Sequence, residues 1–113
     1  MQMDSILTSI KKMLGITEEY EHFDQDLIIH INTVLNTLTQ IGVGPEQGFA
    51  IDSATQTWSD FLYGDSRLEL IKSYVYLKVK MLFDPPLGSA VIESINRQIS
   101  ELEWRISIVV DPN

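Results

Sequence analysis

Apolar residues spaced by three and four positions recur through most of the chain and predict a series of helices. The strongest such pattern is RLELIKSYVYLKVKMLFDPP, Arg67 to Pro86. Leu68, Ile71, Val75 and Leu82, with Leu70, Leu77 and Val79 beside them, spread widely around a helix. Its body carries charge only at Glu69, Lys72, Lys78 and Lys80. A helix wetted on one narrow stripe is the central helix of a small bundle, with neighbours on several sides. Asp65-Ser66 offer N-cap oxygens before it. Pro85 and Pro86 stop it, because proline lacks an N–H and disfavours the α conformation in the preceding residue.

The same spacing places the other elements. A first helix is expected to start at Asp4 or Ser5 and run through about Leu14, with Ile6, Leu7, Ile10, Met13 and Leu14 on one side and Gly15 ending it. Lys11 and Lys12 fall in its last turn, where cations suit the helix dipole. After a charged connector, Asp24 is the expected cap of a second helix, Gln25 to Ile41. Its seam is Leu27, Ile31, Val34, Leu38 and Ile41, widened by Ile28 and Leu35. Residues 42–56 hold three glycines and a proline and predict a long loop, with a short extended piece at Phe49–Ile51. The loop shows few apolar anchors and is expected to be mobile in a free subunit. Thr57 caps a short third helix with Asp60 at its third position. Ser89 is expected to cap the last helix, whose seam is Ile92, Ile95, Ile99, Leu102 and Ile106. Glu93–Arg97 and Glu101–Arg105 are i,i+4 pairs along it. The β-branched run Ile106 to Val110 is expected to leave the helix or fray, with residues 107–113 extended. Such a tail either folds back on its own core or pairs with another chain. The fold class is therefore all-α: one domain over residues 1–113, a bundle of four to five helices with a long loop between the second helix and a short third.

Composition sharpens this picture in two ways. At 113 residues and 44% hydrophobic, one modest core forms without metal or disulfide, and there are no cysteines. No signal peptide or membrane span is expected, which predicts a soluble, intracellular protein. Charge is uneven. Residues 1–66 hold ten acids against Lys11 and Lys12, which gives the whole net charge of −8. Residues 67–113 hold six acids and six bases, which cancel. An acidic half argues against gripping a phosphate backbone.

Candidate chemistry is sparse. His22 and His30 fit no metal-ligand spacing, and no metal site is expected. The acids Glu18, Glu19, Glu21, Asp24 and Asp26 lack the order of a calcium loop. GVGPEQG lacks the lysine and the strand of a phosphate loop. No serine has the partners of a nucleophile. Trp58 and Trp104 suit a core or an interface better than base stacking in so acidic a chain. No enzyme activity and no cofactor are expected.

Several stretches carry a resemblance: ILTSIKKMLGI, FDQDLIIHIN, TWSDFLYGD, SYVYLKVKMLFDPP and ISELEWRI. They resemble the head–tail connector, or head-completion, proteins of tailed bacteriophages and prophages of the siphophage type with Gram-positive hosts. The most specific pieces are Tyr74 to Lys80, Phe83 to Pro86 and Glu101 to Arg105. The resemblance implies a helical virion protein at the head–tail junction. It implies a homo-oligomeric ring, dodecameric in the virion, which binds the portal protein and the next connector or tail protein. DNA would pass through the ring without specific binding, and no membrane is involved. A ring subunit needs two unlike surfaces. The candidates for one are the bases Arg67, Lys72, Lys78, Lys80, Arg97 and Arg105, with Trp104, Ile106, Ile108, Val109 and Val110. The alternative is a small adaptor or regulatory module that binds one protein through its acidic face.

Overall fold

The structure is a computed structural model that describes residues 5–110, with side chains through Ile108. Among these residues there are five helices and no strand: α1 (Ile6–Met13), α2 (Asp24–Gln40), α3 (Trp58–Leu62), α4 (Leu68–Phe83) and α5 (Ser89–Val110). The all-α bundle read from the periodicity is the observed fold.

The central position of α4 follows from its wide apolar arc. Ile71, Tyr74, Val75 and Val79 are buried, and α4 packs against α1, α2 and α5. Leu82, expected on that arc, is half exposed near the end of the helix. The long seam of α2 buries Leu27, Ile31, Val34, Leu35 and Leu38 against it. Ile6 and Ile10 of α1 and Trp58 and Phe61 of α3 complete the same core. Each such side chain contributes about 1.5–3 kcal/mol on leaving water. Ile95, Ile99 and Ile106 attach α5 to this core, with Leu102 half-buried among them. The two long helices run antiparallel across the Asp84–Gly88 turn. Arg67 at the start of α4 donates from Nη1 to the Ile106 carbonyl near the end of α5, at 3.3 Å.

The caps differ from expectation in three places. Ser5 caps α1 as expected, its Oγ accepting from the Thr8 N–H at 3.2 Å; the alternative cap, Asp4, lies outside the described residues. Asp24 is the first residue of α2, and Phe23 holds the cap position without a side-chain bond. The Asp24 carboxylate is engaged instead by Lys11, 2.9 Å away. Arg67 holds the cap position of α4, because the Asp65 carboxylate accepts from the Arg67 backbone N–H at 2.8 Å. Ser89 lies inside α5, whose first turn is closed by Ile92 N–H donating to the Gly88 carbonyl at 3.0 Å. The capping box of α3 is as expected: Thr57 Oγ1 accepts from Asp60 N–H and Asp60 Oδ2 from Thr57 N–H, both at 3.0 Å.

Two longer corrections concern the loop and the tail. Residues 42–56 do have apolar anchors: Val43 and Ile51 are buried and Phe49 lies against Phe61, with ring centroids 5.2 Å apart. Gly42 takes a left-handed φ of 93° after α2, and Val43 N–H turns back to the Leu38 carbonyl at 2.9 Å. That 6→1 closure draws Val43 into the core. No strand forms at Phe49–Ile51. Instead the Asn32 side chain acts as a strand partner would, accepting from Ile51 N–H at 2.8 Å and donating to its carbonyl at 3.0 Å. The tail expected to leave the helix continues α5 through Val110. Ile106 is fully buried, and this packing outweighs the weak helix propensity of the β-branched run. Residues 111–113 lie outside the described residues.

Candidate assembly surfaces

Burial sorts the expected contact residues into two groups. Arg67 is turned inward. Its Nε donates to Asp65 Oδ1 at 2.8 Å and its Nη2 pairs with Asp65 Oδ2. The Arg67 hydrogen bond holds the Asp65 carboxyl below the usual carboxylate range, against the opposing effect of burial. Arg67 therefore ties the α3–α4 corner to the end of α5. Ile106, expected at an interface, is core. Lys72 lies 6.0 Å over the Trp58 ring and Lys78 5.9 Å over the Tyr74 ring. Lys80 pairs with Asp84 at 3.8 Å, one turn on.

The remaining residues share the outer side of α5. Ile95, Ile99, Leu102 and Ile106 face inward, so Glu93, Arg97, Glu101, Trp104 and Ile108 fall on the opposite side, and all five are exposed. Trp104 is 63% exposed, unusual for the largest apolar side chain, and Ile108 lies one turn further. Arg105 pairs with Glu101 at 3.0 Å on the flank of this stripe. The expected Glu93–Arg97 pair does not form among the described residues. Arg97 is the one base of the C-terminal half without an ion pair or ring contact there. The side chains of Val109 and Val110 lie outside the described residues.

Three features escaped the sequence reading. The first is a knob at the α4–α5 turn, where Leu82, Leu87 and Val91 are exposed around Pro85 and Pro86. The second is a groove of about 510 Å³ lined by Met13, Tyr76, Leu77 and Leu102, with Glu101 and Arg105 at its edge. Neither has a sequence signal, because each depends on how α1, α4 and α5 meet. The third is a buried polar lock. Tyr74, fully buried, donates its hydroxyl to Glu103 Oε2 at 2.8 Å, and burial followed by the carboxylate pushes its pKa up. Its sequence signal is the tyrosine one position before Val75 in the apolar pattern of α4.

The histidines are placed by aromatic packing. His22 lies 4.8 Å from Phe23 and His30 6.4 Å from Phe83, and Phe23 meets Phe83 edge-on at 5.2 Å. These rings fasten the connector to the end of α4. Among the described residues, no group of three or more metal-ligating side chains comes together, and no helix is long and apolar enough to cross a membrane. What the surface offers is contact area on α5, at the hairpin tip and in the groove where α1, α4 and α5 meet.

A family model described as "phage connector protein" matches residues 6–113, nearly the whole chain. No curated protein and no solved structure gives a significant match.

Proposed function

The chain belongs to the phage connector protein family, and on that premise we propose that it is a structural virion protein joining capsid to tail. In this reading several copies, twelve in the virion, close a ring beneath the portal. The ring extends the DNA channel and seats the next connector or tail protein. The family match over residues 6–113 carries the reading. The helical bundle and the acidic N-terminal half support it, because a wall that repels phosphate lets DNA pass without sticking. Membership of a structural family argues for a role in assembly, not catalysis. The exposed members of the expected set, Arg97, Trp104, Arg105 and Ile108, are proposed as surface for contact with another chain.

A mass measurement on the purified protein, alone and mixed with a portal ring, tests the role. A joint complex is expected. Folded protein that ignores the portal ring would remove the connector reading. A gel shift with duplex DNA is expected to be blank at moderate salt. Tight DNA binding without portal binding would replace the proposal with a nucleic-acid-binding one.

A further inference from the structure

We propose that the outer face of α5 is a self-complementary surface whose occupant is the same face of a second copy, packed antiparallel. The order of charges and sizes along the exposed stripe points to this occupant. Glu93, Arg97, Glu101 and Arg105 follow one another at i,i+4 and alternate in sign. Two copies laid antiparallel, with their two-fold axis at the level of Ile99, place Arg97 opposite Glu101 of the other copy and Glu93 opposite Arg105. Every acid then meets a base. A parallel pairing in register would set each charge against itself.

Size follows the same rule. The same axis sets Trp104 opposite Ser94 and Ile108 opposite Ala90, a large side chain against a small one in each case. Interdigitation of this kind is what helix pairs need to approach closely. The stripe from Glu93 to Ile108 is about 22 Å long at 1.5 Å per residue. Two of its charges, Glu93 and Arg97, make no ion pair among the described residues, so pairing costs them no partner there. Arg105 exchanges Glu101 of its own helix for Glu93 of the other.

The pairing goes beyond the connector role and does not rest on it. It is isologous, so it cannot by itself close a ring, which needs head-to-tail contacts. It uses a different relation between copies from that of the ring.

The test is a charge-reversal pair read by sedimentation equilibrium on the full chain. The wild type is expected at twice the monomer mass of 12.9 kDa. Arg97→Glu alone and Glu101→Arg alone each set like charges across the axis twice, and each should raise the dimer dissociation constant about tenfold or more. Mixed in equal amounts, the two variants should return to the dimer mass. In the mixture the reversed position of one copy meets the reversed position of the other. Circular dichroism and thermal unfolding confirm that both variants are folded. A wild type that stays monomeric, variants that dimerise as well as the wild type, or a mixture of folded variants that stays monomeric would each overturn the proposal. Portal binding is scored separately on the same preparations, so the connector role stands or falls by its own readout.

Discussion

The loop between α2 and α3 and the long helix α5 are opposites in a way that secondary structure alone conceals. Residues 42–56 have no regular structure, yet Val43 and Ile51 are buried and Asn32 holds both backbone groups of Ile51. The 22 residues of α5 are regular throughout, yet its outer side meets no other element among the described residues. The difference lies in where backbone polar groups find partners. A helix satisfies its own, and so needs the core only along one seam. An irregular segment that enters the core must find partners outside itself: Val43 turns back to the Leu38 carbonyl, and Ile51 borrows the Asn32 side chain. Regularity leaves α5 free to offer a face to another chain. Irregularity leaves the loop bound to its own.

That contrast can be broken at its strongest point first. Ile106 is the fully buried end of the α5 seam, and Ile106→Ala should cost about 2–5 kcal/mol in denaturant unfolding. Half-buried Leu102 should cost less on the same change. An equal cost at both would mean that α5 is held evenly along its length. On the loop side, Asn32→Ala strands both polar groups of Ile51 and should cost about 2 kcal/mol. It should also speed hydrogen exchange at the Ile51 amide, which is expected to be slow in the wild type. Fast exchange there before any substitution would return the loop to the mobile segment that its glycines suggested.

Smaller effects sharpen the picture. Tyr74→Phe removes the bond to Glu103 between α4 and α5 and should cost about 1 kcal/mol. The raised pKa of Tyr74 gives stability that is present below the unfolded value, near 10, and is lost as pH rises above it. Tyr74→Phe should flatten that alkaline loss. Asp65 behaves in the opposite sense. Its folded pKa is lowered, so its contribution is present above the unfolded value of about 3.9 and is lost as pH falls through the folded one. The stability difference between wild type and Asp65→Asn should therefore shrink on acidification. Smallest of all, Glu101→Gln on the outer face should change monomer stability by roughly 0.3 kcal/mol, and less in high salt.

The sequence showed the helices well because each carries an uninterrupted apolar period. The centrality of α4, the seam of α5 and the Thr57–Asp60 capping box follow from spacing alone. Tertiary contacts decided the rest. The Asn32 clamp joins residues nineteen positions apart, and nothing near Asn32 announces it. The continuation of α5 past Ile106 ran against its β-branched composition, because a buried side chain outweighs propensity. For the contact surfaces, residue type picked out the bases but not their partners. Arg67 read as a surface cation and is held by Asp65. Trp104 and Arg97 are exposed on the side of α5 opposite the seam that spacing marks.

Two adjacent lysines give this fold a covalent reporter. Lys11 is 2% exposed, its ammonium held by Asp24 and by the Glu18 carbonyl, both at 2.9 Å. Lys12, the next residue, lies in solvent. An amine-reactive acylating reagent should therefore modify Lys12 rapidly and spare Lys11 for as long as the connector stays folded over the end of α1. The ratio of the two products, read by mass spectrometry on one peptide, gives the fraction of molecules in which that corner has opened. Because both sites share a peptide, the ratio needs no external standard.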